Sequence, residues 1–185
     1  MFPGLAVTAS PVLLDRAAAL GAFEQLFDAT ETSMFKAEVL QDYTGCDDGP
    51  SLRAWMAGDH DDARRLVIDE MRPWIERCAA NPATKARVHV VERPFTTYLE
   101  WEIACCYREM ILPAATEQVS LVEATDVRST LPPGDFWIFD ETTVFEWRYE
   151  ATALAGAIVS SSSGDVDRAL QLRDELTAAA VRLEP

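Results

Sequence analysis

One predicted helix carries a phenol, an indole, a carboxylate and a thiol at helical spacing. Tyr98, Trp101, Glu102 and Cys105 lie three or four residues apart, on a face adjacent to the apolar stripe of the same helix. In an apolar cavity, the loss of water would raise the pKa of Glu102. Glu102 would then be a candidate general base, or an anchor for a cationic group of a ligand.

A second set of candidate residues lies in an aromatic run from Asp135 to Asp140. Strand alternation predicts that Asp140 points the same way as Phe136 and Ile138, and that Asp135 and Trp137 point the other way. If this strand packs on the helix, Asp140 and Glu102 face a shared apolar cavity. The candidate ligand-binding residues are therefore Tyr98, Trp101, Glu102, Asp135, Trp137 and Asp140.

A purely structural role is the alternative for both carboxylates. Glu102 can pair with Arg108 or Arg148, and Asp140 can cap the turn of the hairpin. In that case the aromatic residues around them belong to the core.

Nucleophilic catalysis assisted by histidine depends on His60 or His89, the two histidines of the chain. His60 belongs to an acidic helix start, and His89 alternates with Val88 and Val90, which predicts that it faces solvent. Either histidine acts as a base only if the fold brings a nucleophile to it. The sequence therefore assigns no catalytic residue.

Cofactor and metal motifs are missing from the sequence. There is no glycine-rich phosphate loop, and the four cysteines form no CxxC pair, which indicates reduced thiols. Asp59, Asp61 and Asp62 lack the spacing of a calcium loop and are typical of a helix start. The sequence predicts no cofactor and no metal site.

Hydrophobic periodicity predicts helices and short strands along the whole chain. The long helix before Pro113 is expected to bury a stripe at Phe95, Leu99, Ile103, Cys106 and Met110. The predicted helices cover about 11–28, 51–57, 59–80, 94–112 and 163–183, and the predicted strands cover 34–40, 87–92, 119–123, 135–140, 144–149 and 153–160.

The order of these elements predicts an α+β fold. We expect a single domain whose mostly antiparallel sheet has a central aromatic hairpin and is packed by amphipathic helices, including the N- and C-terminal helices. Within it, residues 1–50 form an N-terminal helix and strand arm, 51–160 the core, and 161–185 the C-terminal helix.

Charge and hydropathy exclude several partners. A formal charge of −15, with 31 acidic and 16 basic residues, disfavours direct binding to nucleic acid. Charged residues interrupt the apolar segments before they reach the length of a membrane span, so we expect no membrane partner and a cytoplasmic location. The oligomeric state stays open.

Four segments resemble an actinobacterial family of unknown function. They are Leu52–Asp59, Val88–Pro94, the Tyr98-x-x-Trp101-Glu102 element and the Asp-Phe-Trp-x-Phe-Asp run at 135–140. The resemblance extends over roughly 27–149. Members of that family are often encoded beside helix-turn-helix regulators, which implies an accessory role in regulation and no known reaction.

Two functions follow from these observations. The first is a noncatalytic accessory or regulatory binding protein that recognises a partner protein, such as a helix-turn-helix regulator, or a small-molecule ligand. The alternative is a small metal-independent enzyme of specialised metabolism that uses carboxylate acid/base chemistry near Glu102 and Asp140. A cavity containing either carboxylate favours a ligand or substrate, whereas a flat apolar patch rimmed by acids favours a partner protein.

Overall fold

Eight strands form one mixed sheet in the computed structural model, which describes residues 10–46, 48–131 and 133–184. Residues 1–9 of the predicted N-terminal arm, Asp47, Pro132 and Pro185 lie outside the described residues. The sheet order is β1-β7-β6-β5-β2-β3-β4-β8. The strands are β1 (Val12–Asp15), β2 (Ser33–Glu38), β3 (Thr84–Val91), β4 (Gln118–Glu123), β5 (Phe136–Phe139), β6 (Thr143–Glu150), β7 (Ala153–Ser160) and β8 (Val181–Arg182).

Helices lie on both faces of this sheet. They are α1 (Arg16–Ala29), α2 (Pro50–Met56), α3 (His60–Ala80), α4 (Thr97–Trp101), α5 (Leu112–Ala114) and α6 (Ser163–Ala179). A ten-residue π-helix, Glu102–Ile111, joins α4 directly to α5, and a short 3₁₀ turn covers Ala124–Asp126.

Side-chain caps start the longer helices. Asp59 accepts a hydrogen bond from the Asp62 amide at the start of α3, which fits the predicted role of this acidic run. Asp15 caps α1 through the amide of Ala18, so α1 begins later than predicted. The preceding residues instead pair with β7 as an edge strand, because cross-strand hydrogen bonds there replace a first helical turn.

The α+β prediction is confirmed. Five of the seven strand pairings are antiparallel, and the aromatic hairpin β5–β6 lies inside the sheet. The remaining pairings, β2–β3 and β3–β4, are parallel and are connected through helices. Strand β2, from the segment assigned to the arm, lies between β5 and β3.

Both faces of the central strands are buried. Val88 and Val90 of β3 pack with Leu176 of α6 on one face, while α3 and the π-helix cover the other. His89, expected to face solvent, is completely buried. Strand alternation was correct, but a second helical layer covers the polar face of β3.

The π-helix changes which side chains of the long helix are buried. Of the predicted stripe, Phe95 lies before the start of α4, and Ile103 and Met110 of the π-helix are only half-buried. Glu102 and Tyr107, five residues apart, both point into the interior. The i→i+5 bonding of a π-helix places residues at this spacing above one another, which an α-helical period does not.

None of the helices among the described residues is long and apolar enough to cross a membrane.

Trp137 tests the contribution of the aromatic hairpin to the core. Its side chain is 5% exposed and packs against α1 and β6, so Trp137→Ala should lower the free energy of unfolding by about 3–5 kcal/mol. Denaturant unfolding measures this change. Val181→Ala, at a residue 75% exposed on the edge strand β8, is the control and should stay within about 0.5 kcal/mol of the parent. Equal effects of the two substitutions would contradict this account.

Candidate functional site

Strand register brings charged side chains together beneath the π-helix. In the parallel β2–β3 pair, Lys36 is opposite Arg87 and Glu38 is opposite His89, all on the face away from Val88. Side chains from the π-helix and from the residue before β4 complete what we call the charged cluster. Its members are Lys36, Glu38, Arg87, His89, Glu102, Tyr107 and Glu117.

Arg87 holds the cluster together. Its guanidinium is buried and lies 3.2 Å from Glu38 Oε2 and 3.0 Å from Glu117 Oε2. Burial opposes the charged form, but the two carboxylates outweigh it and keep the pKa of Arg87 above its ordinary value. Trp74 donates a further hydrogen bond of 2.8 Å to Glu117. These contacts compensate for the desolvation of the buried charges.

Glu38 is held in its ionised form. Burial would raise its pKa, yet the positive charges of Arg87 and Lys36 hold the pKa well below its ordinary value. Lys36 donates to Oε1, and the Tyr107 hydroxyl donates to Oε2 over 2.6 Å.

One ring nitrogen of His89 is hydrogen-bonded to a backbone carbonyl, and the other faces the carboxylates. Nε2 lies 3.0 Å from the carbonyl oxygen of Leu40, which can only accept, so Nε2 carries a proton. Nδ1 lies 2.9 Å from the Tyr107 hydroxyl, 3.5 Å from Glu102 Oε2 and 3.6 Å from Glu38 Oε2.

Glu102 is the least satisfied member of the charged cluster. Its residue is 6% exposed, and Oε2 has no hydrogen-bond partner among the described residues. Burial and the negative charge of Glu38 raise the pKa of Glu102 to about 7. The carboxyl group can therefore accept or release a proton near neutral pH.

A cavity of about 480 Å³ adjoins Glu102. Trp101 and Trp137 line it, and their indole nitrogens are buried and without a hydrogen-bond partner in the part of the chain that the structure describes. Exposed Cys46 and Glu70 also line it, so the cavity reaches solvent there. Its other lining residues include Phe23, Lys36, Glu38, Tyr43, Trp74, Arg87, Tyr98, Asp135, Trp147 and Tyr149.

Asp135 forms a second polar point on the cavity wall. Its carboxylate accepts hydrogen bonds from the Val39 amide at 2.9 Å, the Tyr43 hydroxyl at 2.8 Å and the Tyr149 hydroxyl at 3.2 Å. Burial nevertheless raises the pKa of Asp135. The donors fix this carboxylate in place, unlike that of Glu102.

Five of the six candidate ligand-binding residues line the cavity, and Asp140 does not. Tyr98, Trp101 and Glu102 reach it from the helix, and Asp135 and Trp137 from the start of the hairpin. The proposed cavity shared by Glu102 and Asp140 is therefore not formed. Asp135 takes the place expected of Asp140.

The strand face and the hairpin turn explain why Asp140 lies elsewhere. Phe136 and Ile138, which were expected to point the same way as Asp140, pack with Leu176 of α6 on the face of the sheet away from the cavity. Asp140 and Glu141 begin the three-residue connection to β6 with φ values of 48° and 56°, so Asp140 also leaves the strand conformation. Its carboxylate accepts hydrogen bonds from the amides of Glu31, Thr32 and Ser33 at 2.8–3.0 Å. Asp140 thus anchors the start of β2. This structural role is similar to the turn-capping role that was the alternative to ligand binding.

Sequence reasoning missed most of the charged cluster. The available signal was the pair of alternating charged residues in otherwise apolar strands, Lys36 with Glu38 and Arg87 with His89. Such residues on one strand face indicate either solvent or a buried polar network, and sequence alone does not separate the two.

Residues 21–185 match the family model described as a domain of unknown function, DUF6879. The chain belongs to this family. No curated protein matches its sequence.

Solved structures share the fold at low sequence identity. TrmBL2, an archaeal chromatin protein with a novel mode of DNA binding, superposes with a TM-score of 0.54 at 11% identity. That match covers 99% of this chain, which spans 56% of TrmBL2. Nuc from Salmonella typhimurium, a phospholipase D family member, superposes with a TM-score of 0.52 at 11% identity and covers 95% of this chain and 100% of Nuc. These likenesses concern the fold alone.

Asp140→Asn tests the anchoring role of the turn. Burial would raise the pKa of Asp140, but the hydrogen bonds from Thr32, Glu31 and Ser33 lower it from 3.8 to about 2. A lowered pKa stabilises the fold above pH 4, and this contribution is lost as pH falls toward 2. Near pH 7 the substitution should cost about 1–2 kcal/mol of unfolding free energy.

Denaturant unfolding at several pH values measures this difference. The gap between the parent and Asp140→Asn should close between about pH 4 and pH 2. Asp61→Asn, at an exposed acid on α3, is the control and should change stability by less than about 0.5 kcal/mol. A gap that does not depend on pH would show that the charge of Asp140 is not what anchors the turn.

Proposed function

We propose that this protein is a noncatalytic binding protein for a small apolar or aromatic molecule that carries both hydrogen-bond donors and acceptors. One observation carries the proposal: three residues that line one cavity, Trp101, Trp137 and Glu102, each carry a buried polar atom without a hydrogen-bond partner among the described residues. Buried polar groups are normally hydrogen-bonded, so three such residues around one cavity favour a missing partner.

The chemistry of these atoms defines the ligand class. Indole nitrogens only donate hydrogen bonds, so they call for acceptor atoms such as a carbonyl oxygen. An ionised Glu102 calls for a donor such as an amide nitrogen or an amine. The aromatic walls suit a planar body, and the volume lies within the range of small-molecule sites.

We propose that this binding serves a regulatory role. It rests on the resemblance to actinobacterial proteins encoded beside helix-turn-helix regulators, and on membership of a family without an assigned reaction. In this proposal, ligand binding in the cavity changes how the protein interacts with a regulator.

Probes that share one aromatic body test the ligand class. Naphthalene-2-carboxamide, 2-naphthoate and 2-naphthylmethylamine differ only in the head group. The carboxamide offers both an acceptor and donors, so it should bind most tightly, in roughly the millimolar range that corresponds to about −4 kcal/mol. Isothermal titration calorimetry and thermal shift measure the three affinities.

Indole variants identify the cavity as the binding site. Trp101→Phe and Trp137→Phe keep an aromatic ring but remove the N–H, so each should weaken carboxamide binding about 3- to 10-fold. Trp55→Phe is the matched control, because Trp55 is a buried tryptophan that lies outside the cavity lining. Equal affinities for all three probes, or equal losses in all three variants, would overturn the proposal.

Acid/base catalysis is the second candidate function. It is favoured by Glu102, whose pKa is raised to about 7 and whose carboxyl group faces the cavity beside His89. Glu102 would act without Asp140, which lies at the hairpin turn. Conversion of a bound probe by the parent protein, lost in Glu102→Gln with retained binding, would favour this enzyme over the binding protein.

Duplex DNA is not a partner in this proposal. The net charge of −15 repels phosphates, and the likeness to TrmBL2 concerns the fold alone. The purified chain should leave the fluorescence anisotropy of a generic labelled duplex unchanged at physiological ionic strength. A salt-sensitive increase in anisotropy would contradict this expectation.

A further inference from the structure

We infer that Glu38, His89 and Glu102 form a binding site for a first-row divalent transition-metal ion of the zinc type. Their ligand atoms all lie within 4.8 Å of one another. The three residues come from β2, β3 and the π-helix, which is why no sequence motif marks them.

The distances fit a small coordination sphere. Metal–ligand bonds of about 2.1 Å in tetrahedral geometry place neighbouring ligand atoms about 3.4 Å apart. His89 Nδ1 lies 3.5 Å from Glu102 Oε2 and 3.6 Å from Glu38 Oε2. These two distances match that spacing, and the oxygens of Glu38 and Glu102 lie within 4.8 Å of each other, so side-chain adjustment has to bring only this third pair closer.

His89 is oriented as metal-binding histidines are. Its Nε2 donates to the Leu40 carbonyl at 3.0 Å, which leaves Nδ1 as the atom that faces both carboxylates. In known sites the nitrogen that does not bind the metal commonly donates to a backbone carbonyl, which fixes the ring and its tautomer.

Glu102 supplies an independent indication of a ligand. It is 6% exposed, and Oε2 lacks a hydrogen-bond partner among the described residues while facing His89 Nδ1. An ion at this point would give the orphaned oxygen a partner. Because Glu38 and Glu102 also line the cavity, a further coordination position would face the proposed ligand.

The excess of carboxyl groups also favours a cation. The buried carboxyl groups belong to Glu38, Glu102, Glu117 and Asp135, and the cations near them are Lys36, Lys85 and Arg87. Acidic groups therefore outnumber the cations in this region. Buried negative charge without a counter-charge is costly, and a bound metal ion offsets it. Lys36 and Arg87 can stay bound to Glu38 Oε1 while the ion takes Oε2.

Tyr107 competes with the ion. Its hydroxyl donates to Glu38 Oε2 over 2.6 Å and lies 2.9 Å from His89 Nδ1, so the hydroxyl group now contacts two of the ligand atoms. Metal binding displaces this link. One nitrogen with two carboxylate oxygens suits Zn²⁺ or its Co²⁺ analogue better than Mg²⁺ or Ca²⁺, which prefer oxygen ligands alone.

Cobalt titration of the full chain tests the site directly. After treatment with EDTA and desalting, the protein should take up one Co²⁺ per chain with visible d–d absorption, and Zn²⁺ should abolish this absorption by competition. Zn²⁺ should also raise the melting temperature, whereas Mg²⁺ at the same concentration should not. No Co²⁺ spectrum, or equal stabilisation by Mg²⁺, would overturn the inference.

Variants distinguish binding of Co²⁺ by the three proposed ligand residues from nonspecific binding by other carboxylates. Glu102→Gln and His89→Gln should each weaken Co²⁺ binding by more than the roughly 10- to 100-fold that follows loss of an outer-shell partner. Tyr107→Phe removes only the competitor, so it should retain Co²⁺ binding or tighten it. Asp140→Asn, at a carboxylate outside the charged cluster, should leave the spectrum unchanged.

Circular dichroism and thermal melting confirm that each variant is folded before titration, and Tyr107→Phe keeps the test valid if Glu102→Gln or His89→Gln unfolds. Retained Co²⁺ affinity in folded Glu102→Gln or His89→Gln, or lost affinity in folded Tyr107→Phe, would overturn the assignment. The probe affinities measured in EDTA test the cavity separately, so failure of one proposal does not decide the other.

Discussion

The paired burial of Arg87 between Glu38 and Glu117 is the constraint on which the centre of this fold depends. A guanidinium in the interior is tolerated only if carboxylates neutralise it and accept its hydrogen bonds. Those carboxylates come from the end of β2 and the residue before β4, so one side chain on β3 ties together the three parallel strands. Removing any partner would leave an unpaired charge in the core.

The π-helix then determines what faces this charged centre. Its wider bonding brings Glu102 and Tyr107 to the same interior side, above His89. An α-helix at this point would direct one of them away. The irregular helix is thus the reason that the charged cluster includes a carboxylate with a free oxygen, and π-helical segments are frequent at functional sites.

The aromatic walls and the charged centre serve different parts of one site. Trp101 and Trp137 line the cavity and carry unpartnered indole donors, while Glu102 belongs both to the cavity lining and to the charged cluster. A molecule in the cavity and an ion between Glu38, His89 and Glu102 would therefore be neighbours. The two proposals share Glu102 and otherwise rest on different groups, because unpartnered indole nitrogens call for an acceptor and clustered carboxylates call for a cation.

The sequence by itself determined the fold class and the aromatic hairpin, and it placed Tyr98, Trp101 and Glu102 on one helical face. Periodicity sufficed for these, since burial of an apolar face is a local property of each helix or strand. It failed for Asp140, because alternation does not show which face of β5 meets the cavity, and because two positive φ values follow the end of that strand. It failed for the helical stripe, because hydrophobic period does not reveal i→i+5 bonding.

Only the tertiary structure decided that the polar face of β3 is buried. Alternation separated His89 and Arg87 from Val88 and Val90, but the same pattern describes a strand with one face in water. What covers that face comes from α3 and the π-helix, and what neutralises it comes from Glu38 and Glu117, far away along the chain. Charge pairing between distant segments leaves no periodic signal, so the charged cluster could be recognised only once the strands were placed side by side.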